Sequence, residues 1–508
     1  MSADGDRSPE EPRPTGTDQQ GPEASPRPGE RAGDPEILAG AARWVLDYLD
    51  QAGAAPVRAP IAPGAVREAL PREPPAEPVP WERIRADLDQ VLAPALTHWN
   101  HPRFFGYFAN SSPPAAIAGE LIAAATNQNA MLWRTSPAAT ELEEVATAWL
   151  AHLLGLPRWF GLIHDTASTA TFAALAAARH RADPQVGERG VCLDRPLTVY
   201  ASDQAHSSVD KAVMGLGLGR ANLRRVGSDH AWRLDPAALE AAIVTDEQAG
   251  ARPMAVVATV GTTAATAVDP LPAIARICRA RGLWLHVDAA YGGAAAATPA
   301  MRWVLQGAAG ADSLVVNPHK WLFVPLDCSV LYLRRPQETR AAFAVTPDYL
   351  QAPEEATALM DYGLALGRRW RSLKLWLVLQ AMGTRGVQAV IEEHLRLARL
   401  LAGWVEEAPD FEVVAPTTFA VVNFAWRPRG LAAADADRAT TALAEAVNGS
   451  GEAFLTTARI GEVTALHASI GNLATTEEDV ARLWAAVQRS AAAIPRGEGG
   501  PPPPAPPS

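Results

Sequence analysis

Cysteine is scarce in this sequence of 508 residues, where only Cys192, Cys278 and Cys328 occur. Three scattered thiols exclude a disulfide framework and show no metal-ligand spacing, so we expect a reducing, cytoplasmic environment and no bound metal. Basic residues are also in deficit, with 45 Lys and Arg against 56 Asp and Glu, for a net charge of −11. Because no basic cluster offers a footprint for phosphates, we expect no nucleic-acid partner.

Long apolar runs are missing as well. The N-terminus is polar and proline-rich and lacks the apolar segment of a signal peptide. Polar residues, Gly or Pro interrupt the longest uncharged stretches, 104–119 and 253–268. Both fall short of the roughly 18 apolar residues that a membrane span needs. The sequence therefore predicts a soluble protein without a membrane partner.

Composition and periodicity divide the chain into five parts. Residues 1–35 and 495–508 are rich in proline and poor in large apolar side chains, which predicts disordered tails. Apolar residues at helical spacing predict an N-terminal helical segment over 36–113. Short apolar strands alternate with helices over 114–373, which is typical of an α/β domain with a mainly parallel sheet. The order of elements then changes, and it predicts a small α+β domain over 374–494.

Polar residues follow five of the predicted strands. Ligands of open α/β sheets bind beyond the carboxyl ends of the strands, so these endings are candidate site segments. Each ending taken singly has a plainer explanation as a helix cap, a turn or a solvated charge. In chain order, the endings are HDTAST after 161–163, SDQAHSS after 197–201, GTT after 254–260, DAAYGG after 283–287 and NPHKW after 313–316.

Together, the five endings supply the groups that bind pyridoxal 5′-phosphate (PLP). This cofactor needs an amine for its aldehyde, a carboxylate for its pyridine nitrogen, a flat ring against its own ring and an anion site for its phosphate. Lys320 offers the amine, Asp288 the carboxylate and His206 the flat ring. The amides and hydroxyls of residues 166–168, at a predicted helix start, offer the anion site.

The same segments resemble a known enzyme family. NPHKWLFVPLDCS, HVDAAYGG and DQAHSSVDKA are similar to the group II PLP-dependent amino acid decarboxylases, and within them to the aromatic-L-amino-acid decarboxylases. The similarity covers about residues 36–494. It implies the fold type I, aspartate aminotransferase-like architecture. It also implies a homodimer, in which the N-terminal segment wraps over the partner and the active sites lie at the interface.

The resemblance implies a role for each matching residue. Lys320 is the implied Schiff-base lysine, Asp288 the pyridinium partner and His206 the stacking ring. Tyr349, in TPDYL, is the implied proton donor to Cα. Asp165 stands where the family often has Gly or Ser; because a carboxylate near a phosphate is unfavourable, we expect it to point away or to accept backbone amides. The remaining implied cofactor-binding residues are Thr166, Ala167, Ser168, Thr262, Ala290, Asn317 and His319.

The resemblance also implies a substrate pocket with aromatic walls, which suit an aromatic or apolar side chain. The alternative for Trp99 and Trp133 is an ordinary place in the core. In the family, the region that contains Met131 and Trp133 comes from the partner subunit. The implied pocket residues are Trp99, Tyr107, Phe108, Asn110, Met131 and Trp133.

The predicted reaction is decarboxylation of an aromatic L-amino acid to the amine and CO₂. One alternative is a PLP-dependent aromatic aldehyde synthase, and another, with less support, is a catalytically silent dimeric scaffold. Aldehyde-forming members of the family tend to alter the position of His206 or Tyr349, and this sequence keeps both, so we predict the amine. The choice among tryptophan, tyrosine, phenylalanine and dopa stays open.

Overall fold

A computed structural model describes residues 35–191, 194–345 and 357–494. Its largest sheet has seven strands in the order β1-β7-β6-β5-β4-β2-β3. These strands are β1 (Phe160–His164), β2 (Leu197–Ser202), β3 (Leu223–Val226), β4 (Arg252–Thr259), β5 (Trp284–Asp288), β6 (Ser313–Val316) and β7 (Ser329–Leu333). All neighbours from β6 to β3 pair in parallel, whereas β7 is antiparallel to both β1 and β6.

The central strands of this sheet are buried along their whole length because helices cover both faces. Every residue of β2, β5, β6 and β7 is buried, as expected for parallel strands enclosed on two sides. The helices that precede the second sheet are α1 (Pro35–Gln51), α2 (Ala65–Ala69), α3 (Trp81–Asp87), α4 (Pro114–Thr126), α5 (Pro137–Leu154), α6 (Ala167–Ala182), α7 (Val186–Arg189), α8 (Ser208–Gly215), α9 (Pro236–Gln248), α10 (Leu271–Arg281), α11 (Pro318–Trp321), α12 (Pro336–Phe343) and α13 (Ser372–Glu406).

A second, smaller sheet lies in the C-terminal part of the chain. It is wholly antiparallel, in the order β10-β11-β9-β8, with strands β8 (Phe411–Val413), β9 (Val421–Trp426), β10 (Thr456–Ile460) and β11 (Val463–Ser469). Helices α14 (Ala433–Ser450) and α15 (Glu477–Ala493) complete this part. The two sheets confirm the predicted fold class, a mainly parallel α/β sheet followed by a small α+β region.

One buried cluster of apolar side chains joins the two sheets. Val316 at the end of β6 and Trp321 in α11 belong to the same cluster as Phe419, which precedes β9, and Val421, which begins it. The carboxyl edge of the large sheet is therefore packed against the C-terminal part of the chain. Among the helices within the described ranges, none has both the length and the apolar composition to cross a membrane.

Candidate active site

Two neighbouring strands bring Asp288 and Lys320 to the same edge of the sheet. Asp288 is the last residue of β5, and Lys320 lies in the single turn α11 that follows β6. Backbone hydrogen bonds join the two endings: Ala289 N donates to Val315 O at 2.9 Å, and Asn317 N donates to Ala290 O at 3.1 Å. The carboxylate and the amine therefore converge as the strand order predicts.

The Lys320 side chain is partly buried and lies against an aromatic ring. Its Nζ atom lies 4.6 Å from the centroid of the Phe108 ring. Burial lowers the pKa of Lys320, and the negative charge of Asp288 opposes that shift. A lowered lysine pKa leaves more of the amine neutral, and only the neutral amine can attack an aldehyde. This lysine is suited to form a Schiff base.

His206 presents an uncharged ring to the same region. Its Nδ1 atom accepts a hydrogen bond from Ser208 N at 3.1 Å. Burial lowers the pKa of His206, the charge of Asp288 raises it, and the charge of Lys320 lowers it. Both charges act on the imidazole, so the three side chains share one electrostatic environment. A neutral flat ring there can stack on an aromatic ligand.

Side chains from distant segments hold the turn that carries Lys320. Asn110 Nδ2 donates to the carbonyl oxygens of His319, at 3.0 Å, and Val324, at 2.8 Å. His319 Nδ1 accepts from Cys328 N at 2.8 Å, and burial lowers the pKa of His319 to about 4, so this ring stays neutral. Asn110 thus spans the backbone on both sides of Lys320.

The implied phosphate residue Asn317 has a partner that no sequence motif indicates. Its Oδ1 atom accepts from Ser329 Oγ at 2.6 Å. Ser329 begins β7 and pairs with His164 at the end of β1. Asn317 and the loop after β1 therefore flank the first residue of β7. This brings together the residues that the resemblance implies for binding the cofactor phosphate. Only the antiparallel placement of β7 reveals Ser329.

The start of α6 has the donors that an anion needs. Thr166 caps this helix, and its hydroxyl accepts from Thr169 N at 3.5 Å. Asp165 Oδ1 accepts from Thr166 N at 2.6 Å, in agreement with the expectation that Asp165 binds a backbone amide. Within the described residues, the backbone amides of Ala167 and Ser168 donate to no protein acceptor. These two free donors at a helix N-terminus fit a phosphate group.

The loop after β4 packs directly on the loop after β5. A Cβ atom at Gly261 would lie 2.9 Å from Gly292 N, and one at Gly292 would lie 2.7 Å from Val260 O. Only glycine permits this approach. This close approach fixes the loop that carries Thr262. The Thr262 hydroxyl accepts from Ala267 N at 2.9 Å, so its own proton is free to donate.

Aromatic residues line one side of Lys320. Phe108 stacks on Tyr291 with 4.1 Å between ring centroids, and the edge of His467 from β11 meets it at 5.9 Å. Trp99 and Tyr107 stack on each other at 5.5 Å, and about half of each side chain is exposed. Among the implied pocket residues, Phe108 and Asn110 contact Lys320 or its turn.

The other implied residues are spread more widely. Ala290 is buried and donates its backbone N–H to Asp288 Oδ1 at 3.1 Å. Met131 O accepts from Met360 N at 3.1 Å, and Trp133 Nε1 donates to Glu141 at 2.7 Å. Neither contact joins Met131 or Trp133 to the Lys320 turn. Tyr349 lies outside the described residues.

Comparisons with known proteins agree with this geometry. The family described as "Pyridoxal-dependent decarboxylase conserved domain" matches residues 63–427. Tryptophan decarboxylase 1 of Oryza sativa subsp. japonica is 36% identical over 469 residues, which cover 88% of this chain and 91% of that protein. A phenylacetaldehyde synthase of a Rosa hybrid cultivar is 34% identical over 471 residues, with 89% and 92% covered.

A solved structure shows the same architecture. The crystal structure of Oryza sativa TDC with PLP and tryptamine has a TM-score of 0.88 and 35% identity, and the match covers 92% of this chain and 99% of that one. The amine, the carboxylate and the free helix amides found here are the groups that PLP requires. The chain therefore belongs to the pyridoxal-dependent decarboxylase family, and it is a PLP-dependent carboxy-lyase.

Proposed function

We propose that this protein decarboxylates an aromatic L-amino acid and releases the corresponding amine and CO₂. The observation that carries the proposal is the placement of the Lys320 amine against the Phe108 ring and beside Asp288. An aromatic wall next to the reacting amine favours substrates with an aromatic side chain. The names of the tryptophan decarboxylase and phenylacetaldehyde synthase relatives support the same substrate class.

Each residue of the site has a proposed task. When it is bound, PLP supplies an electron sink for the pair of electrons that CO₂ leaves on Cα. Lys320 would hold the cofactor covalently through its amine. Asp288 keeps a proton on the pyridine nitrogen, because an opposite charge at contact distance favours the protonated form. His206 stacks on the ring, and the amides of Ala167 and Ser168 bind the phosphate.

A second candidate is oxidative conversion to an aldehyde. The 34% identity to a phenylacetaldehyde synthase favours it as the runner-up. The two reactions share the loss of CO₂ and differ in what reaches Cα next, a proton or O₂. The presence of both His206 and Tyr349 supports the amine.

We also propose that the active enzyme is a homodimer. Apolar side chains of α4 and α5 are 41–47% exposed in the single chain, namely Leu121, Ile122, Val145 and Trp149. A subunit interface would cover apolar side chains of this kind. Size-exclusion chromatography with light scattering should give twice the chain mass of 53.8 kDa. A fully active monomer would contradict the proposal.

One experiment separates the reactions and the substrates. The PLP-loaded protein is incubated with tryptophan, tyrosine, phenylalanine or dopa, and CO₂, amine and hydrogen peroxide are measured together. We expect amine equal to CO₂ for at least one of these substrates and little peroxide. Peroxide in proportion to CO₂ would establish the aldehyde reaction instead. If no visible cofactor absorbance forms that borohydride can abolish, the proposed role of Lys320 is wrong.

A further inference from the structure

Asp165 places a negative charge at the start of α6. Its Oδ1 atom accepts from Thr166 N at 2.6 Å and also contacts the hydroxyl of Thr169. These contacts hold the carboxylate against the first turn of the helix. A carboxylate at a helix N-terminus interacts favourably with the free N–H groups and with the helix dipole. The carboxylate therefore lies beside the N-terminus of α6 and leaves the amides of Ala167 and Ser168 free.

The same terminus is the proposed phosphate site. The free amides of Ala167 and Ser168 follow Asp165 by two and three residues. Consecutive Cα atoms are about 3.8 Å apart, so the Cα of Asp165 lies at most about 8 Å from that of Ala167, which is close enough for its charge to act on a phosphate bound there. Asn317, on the far side of β7, belongs to the same proposed site.

No direct ion pair neutralises Asp165 within the described ranges. Arg371 is near enough to Asp165 for their charges to interact, but its hydrogen bond goes to Asp327 at 2.7 Å, and Arg368 donates to Glu143 at 2.6 Å. No cation of the described residues therefore contacts Asp165 directly, and Arg371 offsets its negative charge only through space.

We infer that the negative charge of Asp165 opposes that of the cofactor phosphate and so lowers the affinity for PLP. The inference rests on the proposed phosphate site. Two charges at this distance in a partly hydrated site interact by an amount that corresponds to about a tenfold change in affinity. The carboxylate is thus a positioning residue that sets how tightly the enzyme retains its cofactor.

Asp165→Asn tests the inference because it keeps the shape and an acceptor oxygen for Thr166 N but removes the charge. The dissociation constants of PLP and of pyridoxal, which has no phosphate, are measured on the cofactor-free protein by absorbance. We expect Asp165→Asn to bind PLP about tenfold more tightly and pyridoxal equally. Asp183→Asn is the matched control, since Asp183 caps the opposite end of the same helix, about 24 Å away.

Thermal unfolding supplies a second readout. Without cofactor, Asp165→Asn should melt at a lower temperature than the unmodified protein, because the helix loses a favourable charge. Inorganic phosphate should raise its melting temperature more than that of the unmodified protein. If Asp165→Asn does not fold, Asp165→Ser keeps a smaller acceptor and is measured in the same way.

The possible outcomes are distinct. Equal PLP affinity in Asp165→Asn and the unmodified protein overturns the inference and leaves the proposed function intact. An equal gain in affinity for PLP and for pyridoxal would also overturn the inference, because the effect would then not involve the phosphate. If the unmodified protein forms no Lys320-dependent absorbance with PLP, the proposed function fails and the inference fails with it.

Discussion

Lys320 is the residue on which the proposed chemistry depends most directly. Lys320→Ala should abolish the visible absorbance of the bound cofactor and lower turnover by on the order of 10³-fold or more, because no other group replaces the amine. The variant should remain folded, since burial already disfavours the charged lysine. Lys211→Ala, at an exposed lysine of α8, is the control. Full decarboxylation by Lys320→Ala would refute the proposed role.

The family resemblance also implies that Tyr349 determines whether the product is the amine or the aldehyde. After CO₂ leaves, a phenol near Cα supplies a proton before O₂ can react. Tyr349→Phe removes only the oxygen, so we expect the product to shift from amine towards aldehyde, ammonia and peroxide. Amine and peroxide are measured together for both proteins. An unchanged amine yield in Tyr349→Phe would show that another group donates the proton.

At the scale of single elements, the turn α11 is held by an asparagine far away in sequence. Asn110→Ala would leave the buried carbonyls of His319 and Val324 without donors, at about 1–3 kcal/mol for each. We expect faster loss of PLP, since Lys320, the proposed Schiff-base lysine, lies between these carbonyls. The rate of PLP release is followed by absorbance after dilution.

A matched asparagine separates local from general effects on stability. Asn448 is also buried, and its amide bridges the backbone N–H and carbonyl of Leu455 in the C-terminal part. Asn448→Ala should lower the unfolding temperature about as much as Asn110→Ala does, but it should leave the rate of PLP release unchanged. Equal release rates in both variants would mean that Asn110 acts only on overall stability.

The elements themselves were largely predictable. Strands such as β6 and β7 are continuous buried apolar runs, so composition alone indicates them. Strand β3, Leu223–Val226, escaped the sequence analysis because two of its four residues are arginines. It lies at the edge of the sheet, where partial exposure tolerates charge.

At the scale of the whole molecule, buried neutral histidines make stability depend on pH. Burial lowers the pKa of His286, His319 and His394 to about 4. His394 Nδ1 accepts from the Trp321 indole at 3.0 Å, so protonation there would break a buried hydrogen bond. In the unfolded chain these rings take up protons near pH 6.5. Between pH 6.5 and 4 the unfolded state therefore binds more protons than the folded state.

It follows that the free energy of unfolding should fall as the pH is lowered from 6.5 towards 4. Each such histidine contributes about 1.4 kcal/mol per pH unit in that window. Urea unfolding at pH 7.5 and pH 5.0 measures the loss. His394→Gln, which keeps an acceptor and a donor, should reduce the loss, and His152→Gln, at an exposed site, should not. If the free energy of unfolding depends on pH identically in the unmodified protein and in both variants, His394 is not a source of the loss.

The sequence alone determined which segments meet at the site. Asp288, Lys320, His206, Thr262 and the start of α6 each follow a strand, and the carboxyl ends of parallel strands lie at one edge of a sheet. That rule needs only the order of strands and the residues after them, both of which can be read from the chain.

Only the tertiary structure decided how these segments are held and what surrounds them. Asn110 contacts a backbone 209 residues away, Ser329 joins Asn317 to the end of β1, and Phe108 lies against the Lys320 amine. No hydrophobic periodicity or sequence motif predicts such contacts, because they arise when the N-terminal and C-terminal segments pack on the edge of the sheet. The same packing buries the histidines and lowers their pKa, which is a property of the surroundings and not of the residue type.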